Sequence, residues 1–311
     1  MSIVEVKGGK LVGTKGKGYT IKQHAGHQRM YHIELENEVI DQFLDVLQDV
    51  SDEQLEYIPY MRFIVAAKLL ELTDEAFGEA VRNILHDRNT GGFTIGLQER
   101  TQDPIDFVKF STALTHLVGT PNFDAMSGKY YARFTVKHTD KSDSYLRQAY
   151  RLFTLHTDGT YVDEPTDWLL MMKFSEENAI GGRSRLLHLD DWEDLDRFYK
   201  QPLASHPFTY KAPASKNVEQ EVKRQTFYEQ QNKPCICFID QFVFPETIEQ
   251  SKYLKDLSCS MENSISTVGL DLPVGNLVML NNRFWLHGRE AFEHNTQLHR
   301  ELLRQRGRFA K

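Results

Sequence analysis

Residues 129–137 read KYYARFTVK, a short run of β-type residues opening a part of the chain with a texture of its own. Further runs of the same kind follow: WLLMMK at 168–173, RLLHL at 185–189, then residues 235–239 and 277–280. Turn signals separate them, among them Gly181-Gly182 and Pro273-Val274-Gly275. Two helical interludes, 190–200 and about 245–263, interrupt the series. Many short strands with long, irregular connections predict an antiparallel barrel or jelly roll rather than strands alternating with helices in a parallel sheet. The expected class is mainly β with helical additions.

Upstream of residue 129 the apolar spacing is helical from about 34 to 86. Val39, Phe43, Leu44 and Leu47 form one stripe, Phe63, Ala66, Ala67 and Leu70 a second, and Phe77, Val81 and Leu85 a third. Ser51-Asp52-Glu53-Gln54 and Thr73-Asp74-Glu75 have the polar cap and early acids of helix starts. Another helix is expected over 103–118. Residues 1–30 carry Lys7, Lys10, Lys15, Lys17, Lys22 and Arg29 among glycines and read as a basic, solvated, mobile segment. The expected organisation is therefore that segment followed by one jelly-roll domain over 31–311, helical in its part from about 36 to 120.

Composition narrows the function. The 311 residues include 40% hydrophobic and 11% aromatic side chains, enough for a large core and incompatible with wholesale disorder. Lys plus Arg total 37 against 44 Asp plus Glu, a net charge of −7, so no basic footprint for nucleic acid exists. Mean hydropathy is −0.50, and no apolar run approaches the roughly 18 residues of a membrane span. Neither a Gly-x-Gly-x-x-Gly nor a Walker loop occurs. The N-terminus lacks the apolar stretch of a signal peptide, and a cytoplasmic protein is expected. Cys235, Cys237 and Cys259 are too few for a disulfide framework and are expected to be reduced core residues. Asp190, Asp191, Glu193 and Asp194 read as the acidic first turn of a helix.

The chemistry concentrates in Leu155-His156-Thr157-Asp158-Gly159-Thr160-Tyr161. In an extended segment residues two apart point to one side, so His156 and Asp158 can present a nitrogen and a carboxylate oxygen to one point. A bare His-x-Asp is common, and it reads equally as a loop in which Asp158 caps a turn beside Gly159. A third ligand is nominated in His287, within NNRFWLHGR (281–289). Two imidazoles and one carboxylate form the facial triad of non-haem Fe(II) oxygenases, which leaves coordination positions open. Further on, Arg300, Arg304, Arg306 and Arg308 share one face if their segment is a strand. At roughly 3.3 Å per residue the first two stand about 13 Å apart, room for two anionic ligands beside one metal. Arginine's planar fork suits a carboxylate. Tyr145 and Arg147, in SDSYLRQ, are within reach of a substrate there.

His156-Thr157-Asp158, Gly181-Gly182-Arg183-Ser184, Asn282-Arg283 ahead of His287 and the Arg300/Arg304 pair resemble the taurine dioxygenase and clavaminate synthase-like 2-oxoglutarate-dependent oxygenases. FDAMSGKYYARF (123–134), SDSYLRQAYR (142–151), LLHLDDWEDLD (186–196), FIDQFV (238–243), FWLHGR (284–289) and ELLRQRG (301–307) resemble more closely the CsiD family, the glutarate 2-hydroxylases. The likeness runs from about residue 36 to 311. It implies a double-stranded β-helix core holding Fe(II) on His156, Asp158 and His287. It also implies 2-oxoglutarate on Arg300 with Ser184, which stands where taurine dioxygenase-like proteins have Thr. Arg304 matches the position that takes the anionic end of the substrate, and Arg306 and Tyr145 are further candidates. The implied reaction consumes glutarate, 2-oxoglutarate and O2 and gives L-2-hydroxyglutarate, succinate and CO2, in lysine catabolism and in a homotetramer. Other readings are the same mechanism on another small carboxylate or sulfonate, or a silent jelly roll that binds a dicarboxylate. A structural zinc site would want four protein ligands, and only three converge.

Overall fold

Tyr19, Ile21, Tyr31, Ile33 and Leu35 recur at the strand period of two, and all are buried. They make strands β2 (Tyr19–Gln23) and β3 (Tyr31–Leu35), with β1 (Thr14–Gly16) ahead of them. The structure, a computed structural model, describes residues 6–7, 10–11, 13–139 and 143–310. Its principal sheet therefore begins at Thr14, which corrects the expectation of a solvated, mobile segment through residue 30. Residues 1–5, 8, 9 and 12 of that segment lie outside the described residues. Four helices follow: α1 (Asn37–Val46), α2 (Asp52–Tyr57), α3 (Pro59–Leu72) and α4 (Glu75–His86). Ser51 Oγ accepts from the Gln54 amide at 3.2 Å while the Gln54 side chain accepts from the Ser51 amide at 2.9 Å, a reciprocal cap. Asp74 caps α4 through the Phe77 amide at 3.0 Å.

Strand β4 (Gly92–Gly96), unforeseen in the sequence, precedes α5 (Pro104–Val118) and β5 (Gly119–Pro121). Then come β6 (Ala132–Lys137), β7 (Phe153–His156), β8 (Trp168–Glu177) and β9 (Ser184–His188). The expected helix over 190–200 is only a 3-10 turn (Leu189–Asp191) and α6 (Leu195–Tyr199). Asp190 and Asp191 stand in the first turn of that 3-10 segment and pair outward, Asp190 with Arg88 at 2.5 Å and Asp191 with Arg29 at 2.7 Å. The chain ends with α7 (Ile248–Glu262), β10 (Val268–Leu270), β11 (Asn276–Asn281), β12 (Trp285–Arg289) and β13 (His299–Phe309).

The principal sheet runs β1-β2-β3-β4-β11-β8-β13-β5, with β6 also on β13, and only β3 and β4 are parallel. A second antiparallel sheet runs β10-β9-β12-β7. The two form a jelly roll whose larger sheet is backed by the early helices. WLLMMK shows why that strand is apolar throughout: Trp168, Leu170 and Met172 face the helices with Phe107 and Phe110, whereas Leu169 and Met171 face the second sheet with Leu186 and Leu286. Cys235 is buried, but Cys259 is exposed on α7, correcting its expected place in the core. Among the described residues no helix is long and apolar enough to cross a membrane.

Two histidines are edge-on to Trp285 in the core, His27 and His188, each with its ring centroid 4.9 Å from the indole. Burial pushes His27 down to about 4 and His188 to about 3. Unfolded histidine titrates near 6.5, so below that pH the unfolded chain binds protons that the folded chain refuses. Stability is present above this window and lost as pH falls through it. Calorimetry should show Tm dropping between pH 6.5 and about 4, more shallowly in His27→Phe. Equal slopes would remove His27 as a source of acid sensitivity.

Candidate metal centre and its cationic pocket

The centre is assembled by pairing between strands. His156 ends β7 and His287 lies in β12, and the two are direct antiparallel partners. Their rings therefore come together at 4.1 Å between centroids. Beyond β7 the chain turns at Gly159 (φ +77°), where a Cβ would stand 2.1 Å from Thr166 Oγ1. The turn presents Asp158 back to the imidazoles, with its Oδ1 at 3.6 Å from His156 Nε2 and 3.7 Å from His287 Nε2. Asn282 fixes this peptide from the turn between β11 and β12. Its Oδ1 accepts from the Asp158 amide at 2.9 Å, and its Nδ2 donates to the Asp158 and Thr166 carbonyls at 3.0 and 2.9 Å.

These donors fit a divalent transition metal. All three ligand atoms lie within 4.8 Å of one another. His156 Nδ1 stands 2.8 Å from the Thr154 carbonyl, which must accept from it, so the Nε2 lone pair faces Asp158. Burial, with the His156 ring second, pushes His287 down to about 3 and keeps it in the neutral ligating form. Burial alone would raise the Asp158 carboxyl, but Arg304, His156 and His287 hold it well below the usual carboxylate range. A buried carboxylate with two neutral imidazoles is the 2-His-1-carboxylate set.

A pocket opens from the triad between the sheets. Phe134, Met171, Ile239, Phe242 and Leu302 are among its apolar walls, and Ser184, Lys216, Arg289, Arg300 and Arg304 among its polar ones. Arg300, 2% exposed, donates from Nη1 to the Gly182 carbonyl, and its Nε lies 3.3 Å from Glu176. The positive φ of Gly182 lets the chain pass over it: a Cβ there would stand 2.1 Å from the Phe292 ring. Arg304 is held between two carboxylates, with Nη1 at 3.1 Å from Asp158 Oδ2 and Nη2 at 2.6 Å from Asp124 Oδ2. Arg289 donates from Nη1 and Nη2 to the Leu146 and Gln148 carbonyls at 2.8 and 2.7 Å. Burial, reinforced by Arg300, pushes Arg289 down to about 9.

The structure thus gathers His156, Asp158, His287, Ser184, Arg300 and Arg304 around one cavity. Arg306 is buried beside this group but is not a lining residue, and Arg308 is exposed at the strand's end, so the four arginines do not act as one face. Tyr145 sits between the lining residues Ser144 and Leu146, with the Arg151 guanidinium 3.7 Å from its ring centroid. Three charged residues were missed. Arg289 lies two past His287 on β12, and the strand period could have found it. Asp124 and Lys216 arrive on connections far away in sequence and carried no signal.

Known proteins share this arrangement of chain. The family profile described as CsiD matches residues 19–309. A glutarate 2-hydroxylase from Citrobacter koseri is 43% identical over 296 residues, covering 94% of this chain and 91% of the relative. The non-heme iron oxygenase OrfP, solved with Fe, succinate and (3R,4R)-dihydroxy-L-Arg, superposes with a TM-score of 0.67 at 13% identity, over 89% of this chain and 94% of that one. Asparagine oxygenase, solved with Fe(II), 2S,3S-3-hydroxyasparagine and succinate, gives 0.61 at 13% identity, over 89% and 93%. At such identities the two structures establish a common fold.

Asn282 touches no ligand atom, yet three of its hydrogen bonds set the Asp158 turn. Asn282→Ala should weaken divalent-metal binding by about 10- to 100-fold, the usual effect of losing a group that orients a ligand. Anaerobic metal titration by calorimetry measures it, and an unchanged affinity would show that the turn holds itself.

Proposed function

We propose, because this chain belongs to the CsiD family, that it hydroxylates glutarate to L-2-hydroxyglutarate, consuming 2-oxoglutarate and O2 and releasing succinate and CO2. The observation that carries this reading is 43% identity over 94% of the chain to a glutarate 2-hydroxylase. The chain is a 2-oxoglutarate-dependent non-haem iron dioxygenase. Fe(II) would be held by His156, Asp158 and His287, where it supplies the dioxygen activation that lets an unactivated C–H bond be hydroxylated.

The rest falls to the side chains of the pocket. Arg300, nearly enclosed and part of the same cavity wall as Ser184, receives the distal carboxylate of 2-oxoglutarate, for which its planar fork is suited. Arg304, held between Asp124 and Asp158, stands at the substrate end, and Arg306, buried behind it, offsets part of the charge of Asp124. Tyr145 contributes through the loop that brings Ser144 and Leu146 to the cavity. Phe134, Met171, Phe242 and Leu302 exclude water and hold the target carbon near the metal, where position governs rate. Glutarate as substrate supports a role in lysine and glutarate catabolism, carried out in the cytoplasm. A homotetramer is the assembly proposed. The exposed apolar side chains Tyr57 (73%), Tyr60 (66%), Phe63 (53%) and Ile64 (44%), on and beside α3, support such association.

Protein loaded anaerobically with Fe(II) and 2-oxoglutarate, then given air, should produce succinate in step with 2-hydroxyglutarate when glutarate is present. His156→Ala should lower both by at least about 100-fold, the order expected when a metal ligand is lost. Succinate formed at one slow rate whatever the glutarate would discard the substrate, and none at all from folded, iron-loaded protein would favour a silent binding protein.

A further inference from the structure

The side chains that line the pocket include four cations, Lys216, Arg289, Arg300 and Arg304, and one carboxylate, Asp158. Each arginine is already engaged. Arg289 spends its terminal nitrogens on the carbonyls of the 146–148 loop, Arg300 has Gly182 and Glu176, and Arg304 has Asp158 and Asp124. Arg304 Nη2 donates to Asp124 and its Nη1 lies within ion-pair distance of Asp158, while its Nε has no partner. A substrate carboxylate arriving beside Arg304 meets a guanidinium whose charge two carboxylates already share.

Lys216 differs from all three. It is 5% exposed, and among the described residues its Nζ has one polar neighbour within hydrogen-bond reach, Met126 Sδ at 3.8 Å. No carboxylate of the described residues lies within ion-pair distance of it. Burying an ammonium that has three donors and only a weak sulfur acceptor is costly, and a ligand carboxylate would remove that cost. The backbone holds the lysine in place: the Ala214–Lys216 turn ends at Asn217 in a left-handed conformation (φ 52°), and the Ser215 amide donates to Asp143 at 3.2 Å. Ser144, next to that aspartate, lines the same cavity.

We propose that Lys216 binds a carboxylate of the primary substrate and is a specificity-determining residue for dicarboxylate acceptance, with Arg304 acting as the fixed charge that orients Asp158. This rests on the glutarate reading above. Its electrostatic logic is that of a charge buried in advance of its partner: the site is prepared for an anion and incomplete without one.

The test is anaerobic calorimetry of glutarate into protein loaded with Fe(II) and 2-oxoglutarate, paired with KM values for both acids. Lys216→Met, similar in length and uncharged, should weaken glutarate binding roughly 30-fold or more, the loss that follows removal of one partner of a buried charge pair. Lys216→Arg should recover much of it. The KM for 2-oxoglutarate should not move in Lys216→Met, whereas Arg300→Gln should raise it. Tm of the unliganded Lys216→Met protein should equal or exceed that of wild type, because an unpaired buried charge is gone, which separates a binding role from a structural one. Wild-type and Lys216→Met proteins that bind glutarate equally would overturn the assignment of Lys216 and leave the glutarate reading standing. Wild-type protein that binds no glutarate would overturn that reading, and the lysine's role with it.

Discussion

The buried carboxylate of Asp158 is the constraint on which the site depends. A carboxylate this enclosed is tolerated only if charge and hydrogen bonds replace the water it has lost. Here the replacement is a guanidinium at 3.1 Å and two imidazoles within 3.7 Å, while an asparagine holds the backbone peptide of Asp158 on both sides. Each partner comes from a different strand or turn, so compensating one charge fixes the relation between the two sheets. Arg304 is in turn compensated by Asp124, which draws the connection ahead of β6 into the same cluster. The metal set, the substrate end and the approach of the 124–129 turn are consequences of one electrostatic requirement.

The two sheets divide the labour. The smaller one carries His156, His287 and Ser184 on paired strands, where the pleat and the register set their separations. The larger one carries Arg300 and Arg304 on β13, four residues apart and both buried, and is stiffened from behind by α3, α4 and α5. Ligand positions on strands are more precise than positions on loops, and a radical hydroxylation depends on that precision. Lys216, Ser144 and Leu146 reach the cavity from connections instead. On the proposal made for Lys216, recognition of the substrate falls to these connections, while the metal ligands and Arg300 rest on or beside the paired strands.

Much of the fold was legible. The helices from Asn37 to His86 followed their apolar spacing and caps, and the strands at 132–137, 168–177, 184–188 and 276–281 followed their composition. Two errors were physical. The first strands were hidden because lysines and glycines around them look like a solvated tail, although Tyr19, Ile21, Ile33 and Leu35 kept the period of two. Gly92–Gly96 was missed because a glycine-flanked run of five has no alternation to read when both of its faces are buried. The acids at 190 and 191 do stand in a first turn, though of a 3-10 segment, and Arg88 and Arg29, distant in the chain, pair with them.

By itself the sequence determined the chemistry at the metal: His-x-Asp in an extended segment, a second histidine after a β-type run, and arginines spaced along a final strand. These are local patterns: the strand period places Arg300 and Arg304 on one face of β13, whereas Asp158 lies past the end of β7 and is presented by the Gly159 turn that Asn282 holds. Only the tertiary structure decided how the charges are shared. That Arg304 is closed by Asp158 and Asp124, that Arg289 is spent on backbone carbonyls, and that Lys216 is left with a sulfur for company are facts of long-range packing. Charge compensation in a low-dielectric interior is settled by whichever groups the fold brings within a few ångströms, and no local periodicity encodes that.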